Sequence, residues 1–91
     1  MKSELKLLVF SAAWCGPCKM FAPVYEELKT QYAGIIECEK FDAQADPEIF
    51  AQYHVKSIPT ILLLNGDEVV ESYLGVQSKT KIENDINKHL G

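Results

Sequence analysis

The sequence predicts an α/β fold of order β-α-β-α-β-β-α, with a four-stranded mixed sheet flanked by three helices in a single domain over residues 1–91. Three observations predict it. Apolar runs short enough for buried strands, KLLVFS at 6–11 and TILLL at 60–64, alternate with stretches whose apolar residues recur at helical spacing. A strand–helix–strand passage implies a parallel pair joined by a right-handed crossover. The pair Asn65-Gly66, set between two strand-like runs, implies an antiparallel hairpin, so the sheet has to be mixed.

Each element has its own warrant. Lys6 to Ser11 is the first strand, and the small residues, glycine and proline of Ala12 to Pro17 end it. Met20, Phe21, Val24, Tyr25, Leu28 and Tyr32 then fall on one face of a helix that Gly34 stops and Pro23 is expected to kink. Ile35 to Phe41 reads as the second strand, with Ile36 and Cys38 on one side and Glu37 and Glu39 on the other. Asp46-Pro47-Glu48 has the form of a helix start: an Asp cap, a proline at the first position and an acid in the first turn. That helix ends near Tyr53. Thr60 to Leu64 is the third strand, and Glu68 to Tyr73 the fourth. Gly75 breaks the pattern, and Ser78 or Thr80 caps a last helix whose Ile82, Ile86 and Leu90 face inward. Thr80-x-x-Glu83 has capping-box form.

Composition narrows the function. The chain is 47% apolar and 24% charged, an ordinary globular balance that argues against disorder. Its longest apolar runs fall far short of the roughly 20 residues of a membrane helix. Met1-Lys2-Ser3-Glu4 lacks the apolar stretch of a signal peptide, so a cytoplasmic location is expected, with no membrane association. All nine basic residues are lysines, against thirteen acids, for a net charge of −4. Without arginine or a basic stripe, nucleic-acid binding is not expected.

The cysteines carry the chemistry. There are three, Cys15, Cys18 and Cys38, and an odd number argues against a disulfide framework. Two are spaced C-x-x-C, which in a cytosolic chain is a redox pair or half a metal site. The motif follows a strand and opens a helix, where unsatisfied N–H groups and the helix dipole stabilise a thiolate. Cys15, the first, is expected to be the exposed nucleophile. Cys18, one turn in, is expected to lie further from water. The thiolate of Cys15 would attack a substrate disulfide, and Cys18 would resolve the mixed disulfide, leaving a Cys15–Cys18 bond.

Trp14-Cys15-Gly16-Pro17-Cys18-Lys19-Met20 resembles the active-site motif of the thioredoxin family. Pro23, Asp46-Pro47, Ile58-Pro59-Thr60, Asn65-Gly66 and Gly75 fit the same pattern, so the resemblance covers nearly the whole chain. It implies a minimal thioredoxin fold and a protein-disulfide reductase serving electron transport and cell redox homeostasis. Catalysis would rest on Cys15 and Cys18, with no cofactor beyond their redox-active disulfide and no metal. The resemblance also implies a cis Pro59 facing the cysteines, although an X–Pro bond by itself favours trans. It implies a substrate groove framed by Trp14, Gly16, Pro17, Ile58, Pro59 and Gly75. The backbone of Ile58 would pair with an extended substrate. The partners it implies are protein disulfides and a thioredoxin reductase drawing on NADPH through a flavin, with the chain itself a monomer.

Two departures from the family pattern stand out. The strand and helix that usually precede the motif-bearing strand are expected to be absent, which makes Ile35 to Phe41 a sheet edge guarded by Glu37, Glu39 and Lys40. The family's buried Asp, six residues before the first motif cysteine, is Val9 here, so Lys40 loses its expected partner. Three other readings compete with a reductase: a zinc half-site completed by Cys38, His54 and His89, a disulfide oxidase or isomerase, and a non-catalytic binding subunit of the same fold. Cys38 is expected to fill the core as a small hydrophobe. Trp14 is expected at a partly exposed recognition surface. His54 and His89 are expected to face solvent without an acidic partner.

Overall fold

Alternation along two central strands organises the molecule, a computed structural model that describes residues 3–91. In β1 (Leu5–Ser11), Leu5, Leu7 and Val9 join one apolar cluster while Leu8 and Phe10 join another on the opposite face. In β3 (Thr60–Asn65), Ile61 and Leu63 divide from Leu62 and Leu64 in the same way. A strand buried on both faces needs apolar residues at every position, which is why these two segments read as continuous apolar runs. The strand order is β2-β1-β3-β4. β2 (Glu37–Asp42) runs parallel to β1, while β3 is antiparallel to both β1 and β4 (Glu68–Leu74). The fold is the mixed four-stranded sheet that the sequence predicts.

Among the described residues, three helices cover the two faces. From α1 (Gly16–Gln31), Phe21, Tyr25 and Leu28 enter the larger cluster, and Ile82 and Ile86 of α3 (Lys79–Leu90) join them. The opposite face takes Ile49 and Phe50 from α2 (Pro47–Gln52), with the Phe50 ring edge-on to Phe10 at 5.1 Å between centroids. Among the described residues, no helix is long and apolar enough to cross a membrane. β2 is an outer strand of the described sheet, and Glu39 and Lys40 on it are exposed.

Several local expectations are corrected. Met20 is not part of the core stripe but 69% exposed, because the buried stripe runs Cys18, Phe21, Tyr25 and Leu28 and Met20 lies off it around the helix. Leu90, expected inward, is 38% exposed at the end of α3. Ser78 caps α3, its hydroxyl accepting the Lys81 N–H at 3.2 Å, so the Thr80 capping box does not form. Asp46 makes no side-chain cap for α2; its carboxylate accepts the Asp42 N–H instead, at 2.9 Å. The hairpin forms where expected, but its two-residue loop is Gly66-Asp67, because Asn65 still pairs with Glu68. Gly66, at φ +62, takes the positive-φ position of that turn. His89 is not without an acid: its Nε2 lies 2.9 Å from the carboxylate of Glu71 on β4, which Lys88 also reaches at 3.1 Å. His54 is exposed, as expected, with a positive φ of 55° just after α2.

Candidate active site

Strand directions bring the chemistry-bearing residues to one end of the sheet. Ser11 ends β1 opposite Asp42, Phe10 pairs with Thr60 at the start of β3, and Thr60 pairs with Leu74 at the end of β4. The loops that follow or precede these residues therefore share one rim, and they carry Trp14, Cys15, Ile58, Pro59 and Gly75. A hydrogen bond from the Gly75 N–H to the Pro59 carbonyl, at 2.8 Å, ties the last two together. The Thr60 hydroxyl closes the turn before β3 by donating to the Ser57 carbonyl at 2.6 Å. The Ile58–Pro59 peptide is cis, as the resemblance implies, and Pro59 is fully buried. Gly75 has φ +83, a backbone conformation that side chains with a Cβ rarely adopt.

Cys15 is the N-cap of α1. Its backbone is extended, at φ −94 and ψ 115, while its carbonyl already accepts the Lys19 N–H at 3.2 Å. Its Sγ accepts the Cys18 N–H, also at 3.2 Å, so the sulfur takes the place a cap oxygen normally holds. No acidic residue occupies the first turn of α1, which leaves the positive end of the helix dipole to this sulfur. Cys15 and Cys18 form a disulfide, with their Cα atoms 5.2 Å apart. Gly16 and Pro17 sit exposed on the first turn.

One expectation about the pair is overturned. The two cysteines do not differ in exposure: Cys15 is 6% and Cys18 7% exposed. Ala12 is buried with them, and Ala43 and Ile58 pack against this cluster, so loops from three parts of the chain close over the disulfide. What distinguishes the cysteines is the hydrogen bond: among the described residues, only Cys15 Sγ of the pair receives a backbone donor. Trp14 stands 72% exposed beside them, as expected of a surface residue.

Cys38 is half-buried against the main core, and its thiol is pushed up to about 11 by burial, with Lys29 opposing the shift. Such a thiol stays protonated at neutral pH and is a poor nucleophile and metal ligand. Among the described residues, no three His, Cys, Asp or Glu side chains gather as a metal site. Val9 is 2% exposed in the main core, beside Ile61 and Lys40 on the neighbouring strands. With no carboxylate there, the Lys40 ammonium lies over the Tyr25 ring, 5.4 Å from its centroid.

Sequence reading missed two features of this rim. The Asp42 carboxylate accepts N–H groups from Ala13 at 3.2 Å, Gln44 at 2.9 Å and Ala45 at 3.1 Å, joining the motif loop to the end of β2. These bonds, that from Ala45 foremost, hold its pKa below the usual carboxylate range. The signal was an Asp at the end of a strand with polar and small residues after it, an Asx-turn pattern. The second feature is exposed apolar surface on both sides of Gly75, with Leu74 69% and Val76 44% exposed.

Known proteins agree with this arrangement. A family model described as Thioredoxin matches residues 1–88. A thioredoxin of Staphylococcus epidermidis is 42% identical over 90 residues, covering 99% of this chain and 86% of its own. Thioredoxin 1 of Nostoc sp. is 38% identical over 91 residues, covering 99% and 85%. The crystal structure of the germline-specific thioredoxin Deadhead from Drosophila melanogaster superposes with a TM-score of 0.83 at 30% identity, over 94% of this chain and 81% of that one. Family match, near-complete relatives and a sulfur-capped helix lead to one assignment: the chain belongs to the thioredoxin family and is a protein-disulfide reductase with a redox-active Cys15–Cys18 pair.

Proposed function

We propose that Cys15 is the attacking thiolate and Cys18 the resolving thiol. The observation that carries this division is the single hydrogen bond from the Cys18 N–H to Cys15 Sγ. In the reduced protein the same donor and the open helix terminus favour a negative charge on Cys15. That thiolate attacks one sulfur of a substrate disulfide, and the other leaves as a thiolate that takes a proton from water. The Cys18 thiolate then attacks Cys15 Sγ, expelling the second substrate sulfur and closing the Cys15–Cys18 bond. Two electrons pass from the dithiol to the substrate, so the cycle calls for no cofactor besides the two sulfurs.

The substrate segment is proposed to lie extended across Trp14, Gly16, Pro17, Ile58, Pro59 and Gly75, pairing with the backbone of Ile58. Exposed Trp14, and Leu74 and Val76 beside Gly75, offer apolar contact to either side of the target sulfur. A thioredoxin reductase, passing electrons from NADPH through a flavin, is the proposed source of reducing equivalents. The protein is proposed to act as a cytoplasmic monomer in electron transport and redox homeostasis.

The test is reduction of insulin disulfides, first driven by dithiothreitol and then by candidate reductases with NADPH. Catalysed precipitation of insulin in the first assay, lost in both Cys15→Ser and Cys18→Ser, supports the reading. Precipitation no faster than with dithiothreitol alone overturns it.

A further inference from the structure

Large apolar side chains left in solvent are not spread evenly over this molecule. Among the described residues, the three most exposed are Trp14, Met20 and Leu74, and all stand at or beside the rim that holds the disulfide, as does Val76. Ile35 before β2, Val69 at the start of β4 and Leu90 at the end of α3 are less exposed and lie away from that rim. Single exposed apolar residues need no explanation, but a cluster around a reacting centre does. Trp14, Leu74 and Val76 belong to the groove already described, whereas Met20 does not. Met20 lies four residues after Gly16 and three after Pro17, so it is their neighbour on the surface of α1. A long helical side chain leans toward the helix N-terminus, which directs Met20 over this first turn. Val24, Glu27 and Gln31 follow on the same line of the helix, at i+4, i+7 and i+11. Further along, that line faces α3: Gln31 donates to the Glu83 carboxylate, and Glu27 and Gln31 share a cleft with Lys79, the first residue of α3. α3 therefore begins level with Glu27, about 10 Å along the axis from Met20. Val24 is half-buried against the main core, while Met20, one turn earlier, has no helix beside it. The segment from Gly75 to Ser78 leads from the rim to the start of α3, and Gln77 Nε2 pins it by donating to the Leu74 and Gly75 carbonyls at 3.0 and 3.3 Å.

We propose that Met20 is a specificity-determining residue for disulfide reduction: it receives an apolar side chain of the substrate, two residues from the target cysteine. The proposal rests on Cys15 being the attacking thiolate. Once the mixed disulfide forms, the substrate is tethered at Cys15, and its neighbouring residues are held against the rim at high effective concentration. From Cys15 to Met20 the helix rises about 7.5 Å. An extended chain covers about 6.7 Å in two residues and turns the side chains of residues i and i+2 to the same face. A substrate residue two positions from the cysteine thus both reaches Met20 and faces the protein. The unbranched, polarisable thioether of methionine moulds to aliphatic and aromatic shapes alike, so it selects a class of side chain and not one sequence. Charge does not make the selection at this place. Lys19 lines the cleft on the β2 side of α1 with Cys18 and Ala22, and Glu27 lies two turns further along the helix.

Peptides carrying one cysteine as a mixed disulfide with thionitrobenzoate test this. In a Cys18→Ser background the Cys15 thiolate attacks the peptide sulfur, a Cys15–peptide disulfide forms, and thionitrobenzoate leaves as a coloured thiolate. Three peptides are compared: Leu two residues before the cysteine, Leu two residues after it, and Ser at both places. One of the Leu peptides is expected to react roughly tenfold faster than the Ser peptide, the effect of taking about 55 Å² of apolar surface out of water. Met20→Ser is expected to abolish that preference and Met20→Leu to retain most of it. Val69→Ser, which removes an exposed apolar residue away from the rim, is expected to keep the parent ratio. Peptide mapping of the adduct reads the attack by Cys15 separately, because that assignment holds or fails whatever residue stands at position 20. Equal rates for the three peptides overturn the proposal. So does a Leu preference that survives in Met20→Ser, or one that is lost as fully in Val69→Ser.

Discussion

Replacing Val9 by Asp tests the core beneath the active site. Val9 is 2% exposed, within the cluster that includes Phe21, Tyr25 and Ile61. Removing its buried methyl groups forfeits about 2 kcal/mol of apolar burial. Placing a neutral carboxyl there without a full set of partners adds roughly 1–3 kcal/mol. The expected loss is therefore about 3–5 kcal/mol at a pH where the carboxyl is protonated, reduced if the Lys40 ammonium leaves Tyr25 to pair with it. Burial raises the folded-state pKa of the new carboxyl, so the folded protein holds its proton longer than the unfolded chain does. Stability of the variant then falls as pH rises between the unfolded value, about 3.9, and the raised folded value, by about 1.4 kcal/mol per pH unit. Urea melts at pH 5 and pH 7 measure both effects, and Val9→Asn, of similar size but without the titration, isolates the first. A Val9→Asp protein as stable as the parent would refute the burial reasoning and the inward register of β1.

Cys18→Ser is expected to accumulate mixed disulfides with proteins of a cell lysate while Cys15→Ser accumulates none, as read by mass spectrometry of adducts; equal trapping would reverse the roles given to the pair. Ser78→Ala removes the hydroxyl that caps α3 and is expected to cost about 1 kcal/mol in a denaturant melt, whereas Thr80→Ala costs less than half of that. The lowered pKa of Asp42 means that its stabilising contribution is present above the usual carboxylate range and is lost as pH falls through the lowered value. Asp42→Asn is therefore expected to flatten the acid limb of a stability–pH profile between pH 2 and 5, and superimposable acid limbs would show that its amide bonds contribute nothing.

Much of this molecule is written in local pattern. Continuous apolar runs mark β1 and β3, apolar residues at helical spacing mark α1 and α3, and the Asp46-Pro47-Glu48 start marks α2, all of them signals that a short window contains. The Cys15–Cys18 spacing at a strand-to-helix junction suffices for the chemistry, because the dipole and free N–H groups of a helix start are local properties. The boundaries that slipped did so where two local signals compete, as between the Ser78 and Thr80 caps and at the Asn65-Gly66 turn, and there the sheet register and helix packing decided. Other features depend on residues far apart in sequence. Ala43 and Ile58 pack against the cluster that buries Cys15, Asp42 binds the Ala13 amide 29 residues away, and Glu71 meets His89 across 18 residues. Lys40 lies over Tyr25 because β2 pairs in parallel with β1 next to α1, a placement set by strand register that no local window contains. Spacing along the chain thus determined which atoms react, and the folding of distant segments onto one rim decided which charges and which solvent those atoms meet.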